Sequence, residues 1–174
     1  GVLVFAKNKK AAADLSNQVP NGTMKKFYYA LIYGTPIRER DTLEDYLYKD
    51  GRENLSLIVN ATFPDAKKAI LNYRHCSTLM VLEEGEEVSL MEIELLTGRH
   101  HQIRAQMSNA GMPLLGDSKY GSERSKELSR DIGCKNVALC AYKLSFKRQT
   151  HKEMVFEREP DEELFDPFLN EGIL

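Results

Sequence analysis

The sequence predicts an α+β fold, with a largely antiparallel sheet flanked by helices, in one domain over residues 1–174. Its 174 residues are 42% hydrophobic, which is enough to build one packed core. Segments typical of strands outnumber those typical of helices. A strong hairpin turn signal, Asp50-Gly51, also lies between two apolar segments, and hairpins join antiparallel neighbours.

The first third of the chain predicts a strand, a helix and three further strands. Residues 2–6 are an apolar run rich in β-formers, which predicts a strand buried on both faces. Asn8 is suited to cap a helix that ends before Pro20. Residues 25–33 are dense in aromatic and branched side chains, as strands are. The two strands of the predicted hairpin are residues 42–48 and 54–59.

In the rest of the chain, residues 66–74 and 87–96 alternate imperfectly and predict two strands joined by a turn at residues 83–86. After Thr97 the period becomes helical, with Ile103 and Met107 on one stripe and Gly111 at the end. The remaining predicted elements are a loop at Pro113 and Gly116, a polar helix at 123–132, strands at 137–146 and 152–157, and a short helix near 164–169.

The net charge of −2 conceals an uneven distribution. Residues 151–174 hold eight acidic and two basic side chains, which leaves 22 basic against 18 acidic, or +4, for residues 1–150. The basic residues there are clustered, and such clusters can follow the phosphates of a nucleic acid. They are also common on ordinary solvated surfaces. Charge therefore permits an RNA partner without indicating one.

Cysteine and histidine usage predicts neither a disulfide framework nor a metal site. The three cysteines, Cys76, Cys134 and Cys140, form no C-x-x-C pair, and the four histidines have no ligand spacing. The longest apolar runs fall well short of the roughly 20 residues that span a bilayer. We therefore expect a cytoplasmic, monomeric protein with reduced thiols and without metal, cofactor or membrane contact.

The most informative segment is Thr97-Gly-Arg-His-His-Gln-Ile-Arg104. A glycine turn delivers Arg99 and two histidines to the first turn of a helix, where the dipole favours an anion. Arg104 follows His100 by four residues and His101 by three, so these side chains share a helix face. The spacing alone is equally compatible with an anion-binding cleft and with a basic, solvent-exposed helix.

Three ordered motifs resemble those of the RluA-type RNA pseudouridine synthases. G-R-x-H-Q-I-R, with the G-x-P-L-L-G-D-x-x-Y-G that follows at residues 111–121, is similar to the third signature of the family. The segment at residues 25–30, ending with Gly34, is similar to the second signature, and residues 1–7 resemble the end of the first. The resemblance implies the pseudouridine synthase fold, with a central RNA-binding cleft, and isomerisation of uridine in ribosomal or transfer RNA.

The resemblance also implies roles for individual residues. Tyr28 would stack on a flipped-out uracil and help to remove the C5 proton, and Arg104 would pair with a catalytic aspartate. We expect contacts with substrate RNA from a set of polar residues around them: Arg99, His101, Gln102 and Lys26. No cofactor or metal is implied.

For two other residues, Tyr29 and Asp117, we expect structural roles instead. Tyr29 lies on the opposite face of its strand from Tyr28, so we expect it to pack in the core. Asp117 is a candidate nucleophile by type, but its place in a glycine-rich loop favours an acid that caps backbone N–H groups. Of Lys25 and Lys26, which face opposite ways, only one is expected to reach the substrate.

The H-R-L-D segment that carries the family's nucleophile is absent from residues 1–174. The resemblance places its aspartate a few residues before Gly1, so we expect the chain to be a piece of a longer synthase and to be inactive by itself. Arg104 is then expected to lack its carboxylate partner. Two alternatives stay open: a non-catalytic RNA-binding relative, and an enzyme that uses Arg99 and Arg104 to bind the phosphate of a free nucleotide.

Overall fold

The computed structural model describes residues 1–81, 85–148, 152–161 and 163–170. Its centre is a seven-stranded sheet of order β3-β2-β4-β5-β1-β6-β7, in which all six pairings are antiparallel. The strands are β1 (Lys25–Tyr33), β2 (Arg40–Asp50), β3 (Leu55–Val59), β4 (Lys67–Val81), β5 (Glu86–Leu95), β6 (Leu139–Lys147) and β7 (Glu153–Glu157). The α-helices are α1 (Lys9–Gln18), α2 (Gln102–Asn109), α3 (Glu123–Asp131) and α4 (Asp166–Asn170), the last preceded by a 3-10 turn at Glu163–Phe165.

The two faces of the sheet carry separate apolar clusters. On one face, Ile103 and Met107 of α2 pack against Ala30 and Ile32 of β1 and their neighbours on β4 and β5. On the other face, helices α3 and α4 cover Leu31 and the apolar residues around it. Because side chains alternate along a strand, β1 contributes even-numbered residues to the α2 face and odd-numbered residues to the opposite face. This alternation decides which side of the sheet each signature residue occupies.

The predicted strand at residues 2–6 is wrong. Within the described residues, this segment forms one backbone hydrogen bond, from the Val2 N–H to the Ala141 carbonyl (2.6 Å), and Leu3 and Phe5 are 68% and 83% exposed. A strand needs a free edge along its length, but β1 pairs with β6 on one side, and β7 pairs with Lys143–Lys147 on the other, which leaves only a short stretch of β6 edge. The Ala141 carbonyl is available because the β1–β6 register shifts beside Tyr28.

The other predicted elements are confirmed, with one difference in length. The strand predicted to end at residue 74 continues to Val81, and its pairing with β5 shifts register between His75 and Ser77. A bulge of this kind breaks the two-residue alternation on which the prediction depended. Of the turn predicted at 83–86, residues 83 and 84 lie outside the described residues. Among the described helices, none is long and apolar enough to cross a bilayer.

Candidate active site

The segment between β5 and α2 is anchored to β4 by the side chain of Gln102. Its Oε1 accepts hydrogen bonds from the Arg99 N–H (2.9 Å) and the Thr97 hydroxyl (2.8 Å), and its Nε2 donates to the Ile70 carbonyl (3.1 Å). Gln102 is only 2% exposed. The expectation that Gln102 contacts RNA is therefore replaced by a positioning role, because its amide is already used inside the fold.

A second buried amide, that of Gln106, was not singled out from the sequence. It lies one helical turn after Gln102, is fully buried, and accepts a hydrogen bond from the Gln102 Nε2 (2.9 Å). Its own Nε2 donates to Asp45 Oδ2 (2.8 Å) on β2. The available signal was a polar residue directly beside the apolar stripe of α2. The two glutamines together fix the start of α2 to the sheet.

Arg104 forms a two-pronged ion pair with Asp117. Its Nε donates to Asp117 Oδ2 and its Nη2 to Oδ1, both at 2.7 Å, and the side chains are 16% and 1% exposed. The expectation that Arg104 lacks a carboxylate partner is therefore wrong. The pair uses the Nε–Nη2 edge of the guanidinium, and Nη1 has no partner within the described residues, so a second acceptor such as the catalytic aspartate that the resemblance implies can still be bound.

The structural interpretation of Asp117 is confirmed. Its Oδ1 also accepts the backbone N–H groups of Lys119 (3.0 Å) and Tyr120 (2.9 Å). Burial by itself would raise the pKa of this carboxyl, but the hydrogen bonds from Arg104 and the loop N–H groups outweigh it, and the pKa is lowered. Asp117 is an ionised anchor for its loop, and both of its carboxylate oxygens accept hydrogen bonds inside the fold, which favours a structural role over that of a nucleophile.

Tyr120 connects this ion pair to the two histidines. The Arg104 guanidinium lies 5.0 Å from the centre of the Tyr120 ring, and the Tyr120 hydroxyl lies 3.1 Å from His101 Nδ1 and accepts the Ser56 N–H at 2.6 Å. The rings of His100 and His101 stack at 3.8 Å. The Tyr120 hydroxyl thus links Ser56 of β3 to His101 at the start of α2, and the tautomer of His101 decides whether the hydroxyl donates to Nδ1 or accepts from it.

Both histidines are held in the neutral form. Burial and then the positive charge of Arg104 lower the pKa of His101 to about 4, and burial followed by Lys49 lowers that of His100. His101 is also the residue before α2 with a left-handed backbone, φ 48°. The two histidines thus form a neutral, stacked pair that joins β3 to α2.

The lowered pKa of His101 predicts acid-sensitive stability. An unfolded histidine takes up a proton near pH 6.5 and the folded one only near pH 4, so the free energy of unfolding should decrease as pH falls through that window. His101→Asn, which tolerates a left-handed backbone, should weaken this dependence. Urea unfolding at pH 7 and at pH 4.5 measures it; an equal decrease in both proteins would contradict the assignment.

Two glycines of the third signature are required by close packing. A Cβ on Gly116 would lie 1.8 Å from the Asn136 carbonyl oxygen, and φ is +69°; a Cβ on Gly121 would lie 2.4 Å from the Asp117 carbonyl oxygen. Gly116 thus lets its loop approach the backbone at Asn136, and Gly121 lets the loop fold back on its own backbone at Asp117.

Gly116→Ala should therefore lower the free energy of unfolding by about 3 kcal/mol or more, since it adds a backbone clash to a strained φ. Gly111→Ala is the matched control, because Gly111 has a φ of +79° but open space around it. Chemical denaturation compares the two. Equal losses would show that backbone strain alone, without the clash, determines the cost.

Tyr28 and Lys26 lie on the α2 face of β1. Tyr28 is partly buried against the cluster that contains Ile103 and pairs with Ile93 on one side and Ala141 on the other. Burial raises the pKa of the Tyr28 phenol and lowers the pKa of the Lys26 amine. The two side chains are therefore in a partly dehydrated region beside the start of α2.

The loop before α2 reaches this region. A Cβ on Gly98 would lie 3.3 Å from Lys26 Nζ, and a Cβ on Gly1 would lie 2.8 Å from the Ala141 carbonyl oxygen. Gly98 thus lies beside Lys26 of β1, and Gly1 lies beside Ala141 of β6, the residue that pairs with Tyr28. Tyr29, as predicted, packs on the opposite face, where its ring stacks on Tyr142 at 3.9 Å.

Arg99 has the one guanidinium of the signature that is open to solvent. Its Nε donates to the Lys68 carbonyl (2.9 Å), and its Nη atoms have no partner within the described residues. Among all the residues that the structure describes, no group of three or more His, Cys, Asp or Glu side chains is placed to hold a metal ion. The chemistry available here is that of a phenol, an amine and a guanidinium.

Comparison with known proteins is consistent with this arrangement. A family model described as RNA pseudouridylate synthase matches residues 1–109. The RNA pseudouridine synthase YlyB of Bacillus subtilis, itself called uncharacterized, is 34% identical over 125 residues, which cover 72% of this chain and 38% of that protein. The ribosomal large subunit pseudouridine synthase C of Rickettsia prowazekii is 33% identical over 130 residues, covering 75% and 41%.

A solved structure shares the fold. Human RNA pseudouridylate synthase domain containing 1 superposes with a TM-score of 0.72 at 24% identity, over 89% of this chain and 62% of that one. The chain spans 38% and 41% of the two bacterial relatives. From the matched residues and the identity to these relatives, the chain belongs to the RNA pseudouridylate synthase family of the RluA type.

Proposed function

We propose that the full-length protein isomerises a uridine in ribosomal or transfer RNA to pseudouridine, without metal or cofactor. The observation that carries the proposal is the position of Tyr28. It lies in a central strand, partly buried on the α2 face, two residues from Lys26, which approaches Gly98 of the third signature. The name of the Rickettsia relative supports ribosomal RNA as the substrate class.

The reaction breaks the bond from ribose C1′ to uracil N1 and forms a bond from C1′ to C5; the C5 proton leaves, and N1 takes up a proton. A uracil inside an RNA stem must first be flipped out, at a cost of a few kcal/mol, which stacking on an aromatic ring offsets in part. Burial raises the pKa of Tyr28 and so favours its neutral phenol. The ring can then stack without placing a charge against the base, and its hydroxyl can relay the C5 proton by donating its own proton as it accepts that one.

We assign the guanidinium beside the catalytic carboxylate to Arg104. Its Nε and Nη2 donate to Asp117, and its Nη1 has no partner within the described residues. A guanidinium next to a carboxylate lowers its pKa and orients it, both of which a carboxylate nucleophile requires. The pair with Asp117 then holds this guanidinium in place and fixes the loop of Asp117.

The nucleophile of the proposal is an aspartate that precedes Gly1 in the full-length protein. The Gly1 backbone lies beside Ala141, the residue that pairs with Tyr28, and this position supports a nucleophile from the segment before Gly1. The coding sequence upstream of Gly1 tests this requirement. An upstream region without an H-R-L-D-type segment would leave an RNA-binding relative as the better description.

The activity is tested with full-length protein and RNA that carries tritium at uracil C5, in buffer that contains EDTA. We expect tritium to appear in water, because the C5–H bond must break, and we expect EDTA to leave the rate unchanged. RNA that binds without tritium release would contradict the proposal and indicate a binding-only relative. Release that occurs only from free nucleotides would favour the mononucleotide enzyme.

A further inference from the structure

A polar cleft of about 430 Å³, separate from the Tyr28 side chain, lies between the β2–β3 hairpin and the loop before α2. Its lining includes three permanent cations, Lys49, Lys67 and Arg99, together with Ser56 and His100, and one acid, Asp65. The net charge of the ionised lining residues is therefore +2. The strand register explains how the two lysines come to lie together.

Both lysines extend from the sheet face that α2 covers. Lys67 is opposite Leu47 in the β2–β4 pairing, and Lys49 is two residues beyond Leu47 on the same face. Leu47 and Ala69 are buried under Ala105 of α2. Lys49 and Lys67 thus lie on the covered face just outside the helix, where the apolar contacts end and solvent enters.

The positive charge of this cleft is not neutralised by the protein. In the part of the chain that the structure describes, neither Lys49 nor Lys67 forms an ion pair, and the guanidinium of Arg99 donates only to a backbone carbonyl. The contrast is Lys68, whose side chain pairs with Glu44 at 2.7 Å. The charge of Lys49 also contributes to the lowered pKa of His100. Three cations in a concave, polar site attract an anion.

The cleft is continuous with the region of Tyr28. Gly98 lies on its wall and also approaches Lys26, which is two residues from Tyr28. Strand β2 is three strands from β1 in the sheet, a distance of about 14 Å at the usual strand spacing. A few nucleotides of extended RNA span that distance.

We propose that Lys49 and Lys67 bind the phosphodiester backbone of the substrate RNA, a few nucleotides from the uridine held at Tyr28. This inference rests on the proposed function for the identity of the anion. Adjacent cations on one face match a chain of phosphates, whereas a free nucleotide would engage the Arg99 end alone. Ser56 is engaged with His100 and Tyr120, so the lysines supply the contact.

The test uses full-length protein and a fluorescein-labelled stem-loop RNA with uridines in its loop. Single-stranded RNA loses about 0.7 units of salt slope for each phosphate contact removed. Lys49→Gln with Lys67→Gln should therefore reduce the slope of log affinity against log salt by about 1.4 and weaken binding by about 10- to 30-fold at 0.1 M salt. Circular dichroism melting verifies that the variant folds.

The matched control is Arg130→Gln with Lys135→Gln, an equal charge change on the exposed surface near α3, across the sheet. The affinity of this control variant for the RNA should stay within about twofold of the wild-type value. Equal weakening of both variants, or an unchanged salt slope in the cleft variant, would overturn the proposal. The proposal would also be overturned if uridine monophosphate displaced the RNA from the wild-type protein and no longer bound to the cleft variant. Because binding is measured separately from tritium release, failure of the catalytic proposal would be seen independently.

Discussion

Replacing Arg104 with Met should lower the free energy of unfolding by about 3 kcal/mol or more. The substitution removes both hydrogen bonds to Asp117, whose side chain is 1% exposed, and leaves a buried carboxylate with only two backbone N–H partners. It also removes the guanidinium beside the Tyr120 ring. Urea unfolding at pH 7 measures the loss.

The control for this substitution is a double-mutant cycle with Asp117→Asn. Once the charge of Asp117 is gone, Arg104→Met should cost much less. The double variant should therefore lose less unfolding free energy than the sum of the two single losses. Losses that add fully would mean that the pair is not coupled. The lowered pKa of Asp117 gives a second check: the stability from this pair is present above the unfolded carboxyl pKa of about 3.9 and should be lost as pH falls below it.

Replacing Tyr28 with Phe should lower the rate of tritium release by the full-length protein by at least about 100-fold. Phenylalanine preserves the ring that stacks on uracil and the packing against the α2 cluster, but removes the oxygen to which we assign the C5 proton. RNA affinity should change little. Single-turnover release from C5-labelled RNA separates the chemical step from binding.

Tyr29→Phe is the matched control, since it removes the same atom from the neighbouring residue on the opposite face. Tyr29 stacks on Tyr142, away from the α2 cluster, so its loss should cost about 1 kcal/mol of stability and leave the rate unchanged. If Tyr28→Phe retained full release, the phenol would have no part in proton removal. A rate loss in both variants would point to disturbance of β1.

Most of the fold could be predicted because local patterns and tertiary structure agree. The helix capped by Asn8, the aromatic strand β1, the Asp50-Gly51 hairpin and the α2 stripe of Ile103 and Met107 each have a short-range physical cause. The prediction of a strand at residues 2–6 was wrong for a reason that lies far away in the sequence. The residues of this segment suit a strand, but β1 and β7 leave only a short stretch of β6 edge without a partner strand.

The candidate site was predicted less completely than the fold. Alternation along β1 correctly separated Tyr28 from Tyr29, since it depends on adjacent residues only. The ion pair of Arg104 with Asp117 depends on how the loop after α2 folds back over the helix, and the burial of Gln102 depends on how the segment before α2 packs against β4. Spacing in sequence does not encode that contact, so the motif alone could not show which arginine is engaged and which is exposed.

The central claim is that this fold supports isomerisation of uridine, and identification of the product tests it most directly. Full-length protein is incubated with RNA, the RNA is digested to nucleosides, and uridine and pseudouridine are separated by reversed-phase chromatography. We predict that pseudouridine accumulates with the wild-type protein and is absent with Tyr28→Phe. Tritium release without any pseudouridine, or unaltered uridine after saturating binding, would contradict the claim.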